Sequence, residues 1–95
     1  MNYAVMLKNE IFRKTFLGGK IVLTSGVSEA KNKQDIISAV KRFDYFTPDN
    51  SEHDFGKVVV HGEDYFFKID YYDDQYQYFK EDGNRVMTIM RADEY

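Results

Sequence analysis

The stretch Glu63-Asp64-Tyr65-Phe66-Phe67-Lys68-Ile69-Asp70-Tyr71-Tyr72-Asp73-Asp74-Gln75-Tyr76-Gln77-Tyr78-Phe79 most constrains what this chain can fold into. Its aromatic and β-branched side chains suit a pleated, half-buried surface. Its carboxylates need water or partners. A strand sends alternate side chains to opposite faces. The stretch therefore splits into an inward set and an outward set, and other elements must cover the inward one.

Turn chemistry on either side sets the register. His61-Gly62 suits a two-residue hairpin loop, because glycine accepts a positive φ. It places Val58 opposite Tyr65 and Val60 opposite Glu63. A turn at Asp73-Asp74 would place Ile69 opposite Tyr78 and Tyr71 opposite Tyr76. Glu81-Asp82-Gly83-Asn84 forms the last turn, before Val86-Met87-Thr88-Ile89-Met90. One face then collects Val58, Tyr65, Phe67, Ile69, Tyr78, Met87 and Ile89 as core. The other collects Lys57, Val59, Phe66, Lys68, Asp70, Gln77, Phe79, Val86, Thr88 and Met90. Apolar residues among the charges of that second face predict an interface, or a covering tail or loop.

The covering elements lie upstream. Residues 3–16 show helical spacing, with Ala4, Leu7 and Ile11 in one apolar row and Val5, Phe12 and Phe16 in the next. Gly18-Gly19 stops that helix. Lys20 to Thr24 reads as a short strand, apolar on both parities and so covered on both faces, and Ser25-Gly26 ends it. A second helix spans 33–44, with Asn32 as N-cap, Asp35 in the first turn, and Ile36, Ile37, Val40 and Phe43 inward. The expected fold is α+β: two helices packed on one face of a mainly antiparallel four- to five-stranded sheet, in the order α-β-α-β-β-β-β. At 95 residues it forms one domain, 1–95.

Composition excludes several functions. Without cysteine there is no disulfide framework or thiol chemistry. Met1 to Leu7 is too short for a signal peptide and no apolar run could span a membrane, so a cytoplasmic protein is expected. A pI near 5.3 argues against nucleic-acid binding. No cofactor is expected, since no Gly-rich loop joins a strand to a helix.

Two regions could carry chemistry. Asp49, Glu52, His53 and Asp54 form a polar turn whose ordinary role is to bond local backbone amides. It could also line a small-ligand or nucleotide pocket with Lys68 and Asp70. A His53–Asp70 dyad would suit a minimal hydrolase, but no nucleophile stands near in a suitable turn. The only histidines are His53 and His61, which gives no metal-ligand spacing. The second region is the hairpin Asp70 to Asp82. Asp70, Tyr72, Asp73, Asp74, Tyr76, Glu81 and Asp82, with Phe66, Lys68 and Phe79 on the adjoining face, make an acidic, tyrosine-rich surface. Tyrosine supplies interface energy and carboxylates supply steering, so a basic protein surface is the expected partner. A homodimer through the sheet face is an alternative.

Asn9-Glu10-Ile11-Phe12-Arg13, Gly19 to Val27, Phe46-Thr47-Pro48-Asp49-Asn50, Glu52-His53-Asp54-Phe55-Gly56, Lys68-Ile69-Asp70-Tyr71-Tyr72-Asp73 and Arg85 to Met90, ending Glu94-Tyr95, run in order along the chain. Together they resemble a domain-of-unknown-function family of small bacterial proteins (DUF3768-like). The turn at Glu81 to Asn84 is shorter than the proline- and aspartate-rich loop usual there. The resemblance implies no established activity. It implies a setting on plasmids, prophages and other mobile elements, where small inhibitors of host defence such as anti-CRISPR proteins occur. The expected function is therefore non-enzymatic: occlusion of a basic site on a host nuclease or defence complex by the acidic hairpin.

Overall fold

Only one stripe of a helix can face the core, and in α1 (Tyr3–Thr15) that stripe is Val5, Asn9, Phe12 and Arg13. The computed structural model describes residues 3–95. Met1 and Asn2, the start of the stretch weighed as a signal peptide, lie outside the described residues. Leu7 and Ile11, expected in the core, are instead 43% and 60% exposed, and Ala4 is exposed beside them. The row carrying Asn9 and Arg13 wins because both side chains find hydrogen-bond partners inside. The helix ends at Thr15, three residues before Gly18, and Phe16 just beyond it takes a left-handed φ of 62°.

The strand β1 (Gly19–Leu23) runs parallel to the last strand, with Ile21 opposite Met87. Val22 is 46% exposed, so β1 is covered on one face only. Ser25-Gly26 opens a helical turn, α2 (Ser25–Ser28), rather than merely ending the strand. Helix α3 (Lys33–Arg42) buries Ile36 and Val40 as expected; Asn32 precedes it but makes no side-chain cap bond.

Strands β2 (Phe55–Val60), β3 (Glu63–Tyr72) and β4 (Asn84–Arg91) complete a four-stranded sheet in the order β1-β4-β3-β2. The first hairpin keeps the expected register: Val58 faces Tyr65 and Val60 faces Glu63. His61 and Gly62 take φ values of 51° and 80°, the doubly left-handed turn that matches strand twist. The fold is α+β as expected; among the described residues it has three α-helices instead of two, and its four-stranded sheet is antiparallel except for the parallel β1–β4 pair.

The expected strand around Tyr76–Phe79 does not form. β4 takes the whole free edge of β3, setting Ile69 against Met87 and Tyr71 against Arg85. The Asp73 carboxylate accepts from the amides of Gln75 at 3.1 Å and Gln77 at 3.0 Å, which curls the chain. Tyr76 takes a φ of 56°, and only the bridge Tyr72–Phe79 remains. Tyr78, expected in the core, is 71% exposed.

The core joins Val5, Phe12, Val27, Ile36 and Val40 to Val58, Tyr65, Phe67, Ile69, Met87 and Ile89. Gly56 is required here, because a Cβ would collide with the Phe67 ring. The outer face is partly roofed by the C-terminal turn Ala92–Glu94. The Glu94 carboxylate accepts from Thr24 Oγ1 at 2.6 Å, Gly26 N at 2.9 Å and Arg91 N at 2.8 Å. Tyr95 packs edge-on against Phe66 at 5.4 Å, and Met90 beneath the turn is 3% exposed. The tail therefore accounts for one end of the apolar outer face, while Asp70, Val86 and Thr88 lie beyond it. Among the described residues no helix is long and apolar enough to cross a membrane.

Candidate functional site

Four separate stretches meet around two buried side chains of α1. Arg13 is fully buried. One end of its guanidinium donates to Val40 O at 3.0 Å and to Phe43 O, carbonyls at the C-terminal end of α3. The other end pairs with Glu10. Phe46 lies under it at 5.2 Å and stacks on His53 at 3.9 Å. His53 Nδ1 in turn sits 3.3 Å from Glu10. Burial alone would raise the Glu10 carboxyl, but Arg13, His53 and Lys14 outweigh it and hold it below its ordinary value.

Asn9, also fully buried, uses both amide hydrogens and its carbonyl. It donates to Glu52 O at 2.9 Å and to the Tyr71 hydroxyl at 2.7 Å, and accepts from Arg85 Nε at 2.6 Å. The Tyr71 hydroxyl donates to Glu52 Oε1 at 3.0 Å, with Asp54 Oδ2 at 3.4 Å. Burial pushes the Tyr71 hydroxyl far above its usual range, so it stays a donor. Arg85 continues to Asp82 at 2.7 Å, and Lys8 closes on Asp82 at 2.8 Å. One polar network thus braces two surface segments, the Asp49–Asp54 turn and the Asp73–Gly83 loop.

That loop is ordered by its own bonds. Asp73 N donates to Tyr78 O at 2.8 Å, and Lys80 N to Tyr71 O at 3.3 Å. Gly83 N closes it on Lys80 O at 2.8 Å. Phe79 is 73% exposed at its surface beside Tyr78, while Tyr76 packs under Lys20 Nζ at 3.7 Å.

The expected contact residues therefore fall into three groups. Asp74, Tyr76, Phe79 and Glu81 present themselves on the loop. Asp73 and Asp82 hold the loop together. Lys68 and Asp70 pair with each other at 3.5 Å on the outer face, Tyr72 packs at 6.3 Å from Tyr76, and Phe66 is engaged by Tyr95. In the alternative pocket, Glu52 and Asp54 join the network, Asp49 is exposed, and His53 turns to Glu10. The His53–Asp70 dyad is thus replaced by two separate pairs. Asn50 bonds the backbone of Phe55 and Asp54, the local role expected of such a turn. Among the described residues no group of three or more His, Asp or Glu side chains is disposed to hold a metal ion. Sequence reasoning passed over Asn9, Glu10, Arg13, Tyr71 and Arg85 as site residues. The signal was present in the spacing of Val5, Asn9, Phe12, Arg13 and Phe16, which puts two polar side chains on the most apolar helix face.

The network makes stability pH-dependent. Hydrogen bonds from Lys8 and Arg85 hold the Asp82 carboxyl below its ordinary value. A group depressed in the folded state contributes stability that is present above its unfolded pKa and lost as pH falls through its folded one. Glu10 acts in the same sense. Asp54 acts oppositely: burial and then the Glu52 charge raise it, so acidification relieves that site. The wild type should lose urea resistance as pH falls from about 6 to about 3. Asp82→Asn should start lower at the upper end and lose less, so the two curves converge; parallel curves would contradict the assignment.

Fold and site define a small α+β protein whose polar interior braces an exposed acidic, aromatic loop. The chain belongs to the family described as protein of unknown function (DUF3768), whose model matches residues 23–94. That range takes in α2, α3 and β2 to β4, while α1, with Asn9 and Arg13, precedes it. No curated protein and no solved structure matches the chain.

Proposed function

We propose that this is a non-enzymatic binding protein that docks the Asp73–Gly83 loop onto a basic surface of a protein partner, occluding it. A host nuclease or defence complex fits that description, since its nucleic-acid groove is basic. The observation that carries the reading is the exposure of Tyr78 and Phe79, 71% and 73%, on a loop held in one conformation by its own hydrogen bonds. Large aromatic side chains set out on an ordered frame bind with little entropic cost. The charge distribution supports the same partner. Residues 44–95 carry thirteen acids against five Lys and Arg, while residues 1–43 carry three against eight.

The test separates contact from scaffold. Reversing Asp73 or Asp82 would disturb the loop itself, so the informative variants are Asp74→Lys with Glu81→Lys, and Tyr78→Ala with Phe79→Ala. With a partner captured from bacterial lysate and purified, each aromatic truncation should weaken binding by about 2 kcal/mol. The charge reversals should slow association and flatten its salt dependence. Affinity and salt dependence unchanged in both pairs would show that the loop is not the contact surface.

A further inference from the structure

Between the loop and the Asp49–Asp54 turn lies a cleft of about 300 Å³, lined by Asp54, Ile69, Asp70, Tyr71, Tyr72 and Phe79. Two carboxylates share it with three aromatic rings. Tyr71 and Phe79 meet edge to face at 6.4 Å, which fixes one corner. The backbone of Asp54 is anchored, because its carbonyl accepts from Ile69 N at 2.7 Å.

The negative charge in this cleft is poorly balanced from within. Asp54 has no cationic partner on its carboxylate, which is met by the Tyr71 hydroxyl at 3.4 Å and by its own backbone amide. Asp70 has a solvent-exposed pair with Lys68, at 3.5 Å. Arg85, beside the Tyr71 ring at 5.3 Å, is already committed to Asn9 and Asp82. Burial, Glu52 and Asp70 all make the charged form of Asp54 less favourable, so an arriving cation would relieve a real repulsion.

We propose that the cleft is the socket for one arginine side chain of the partner protein, its guanidinium lying on the Phe79 ring and donating to the Asp54 and Asp70 carboxylates. This rests on the reading of the neighbouring loop as a docking surface, with which the cleft is continuous through Phe79. Arginine fits better than lysine because a planar, delocalised cation can stack on a ring and fork toward two carboxylates at once. An ammonium group would offer cation–π attraction but no fork. A hard metal ion takes six or more oxygen ligands, and among the described residues no group of three or more His, Asp or Glu side chains is disposed to hold one; a phosphate would be repelled.

The test is an NMR titration of isotopically labelled protein with N-acetyl-arginine amide, and separately with N-acetyl-lysine amide. Arginine amide should give saturable shifts at Asp54, Asp70, Tyr72 and Phe79. Asp54→Asn with Asp70→Asn should weaken that binding at least about tenfold. Phe79→Ala should also weaken it; its exposed side chain can be cut without opening the core. The proposal is overturned if the shifts fail to saturate, persist in the double variant, or are matched by lysine amide at equal concentration. A flat titration with loop variants that still lose the partner would remove the socket and leave the docking loop standing. A positive titration with partner binding indifferent to the loop would remove the loop, and the partner's arginine with it.

Discussion

Arg13→Met should cost about 3–5 kcal/mol of folding stability, the range for breaking a buried ion pair on one side. A domain of this size has only about 5–10 kcal/mol in all, so the variant should be largely unfolded under conditions where the wild type is not. The side chain is fully buried and its partners come from two helices. Removing it leaves carbonyls at the end of α3 without a donor, and leaves the Glu10 carboxylate with only Lys14 and His53. Arg13→Lys should recover a minor part, since an ammonium cannot reach the carbonyls and Glu10 together. Adding Glu10→Gln to Arg13→Met should recover more, because the stranded charge is then gone. Urea unfolding at neutral pH measures all four proteins. A loss for Arg13→Met within about 1 kcal/mol of zero, the scale of an exposed pair, would refute the assignment of Arg13 as the tie between α1 and α3.

What could be read from the sequence follows from how local each signal is. His61-Gly62 specified both a turn and a register, and every pairing of β2 with β3 followed. The alternation in β3 was equally direct, because from Tyr65 onward its odd-numbered residues Tyr65, Phe67, Ile69 and Tyr71 are buried. Residues 76–79 misled because strand propensity measures fit to a pleated surface: β4 takes the edge the meander needed, and the Asp73 carboxylate curls the segment so that a single bridge, Tyr72–Phe79, forms on the other. The face of α1 misled for a different reason. Apolar spacing ranks the rows of a helix by its own residues alone, whereas Arg13 finds its partners in carbonyls at the end of α3, remote in sequence. The same remoteness hid the site. Asn9, Glu52, Tyr71 and Arg85 give no signal one by one and meet only through contacts between residues far apart in sequence. The parallel pairing of β1 with β4 spans most of the chain and had no local marker.

Asn9→Leu should cost about 3 kcal/mol and, unlike Arg13→Met, should also loosen the proposed docking surface. Leucine is close to isosteric, so the loss is one of hydrogen bonds. Three groups lose a partner at once: Glu52 O, the Tyr71 hydroxyl and Arg85 Nε. Leaving a buried group unpaired costs about 1–3 kcal/mol, more when it is charged. Tyr71 keeps its bond to Glu52 and Arg85 keeps Asp82, which holds the total near the lower end of the sum. The second effect follows from where those partners sit. Arg85 positions Asp82 and the loop, and Tyr71 and Glu52 position the turn across the cleft. Amide hydrogen exchange should therefore accelerate in residues 50–54 and 73–83 by more than the global loss of stability accounts for. Tyr71→Phe separates the two contributions. It removes the bond to Glu52 while leaving Arg85 on Asn9, so the turn should loosen and the loop should not. If exchange rises evenly over the whole chain in both variants, the network is only a source of stability, and the loop and turn are braced by their own local bonds alone.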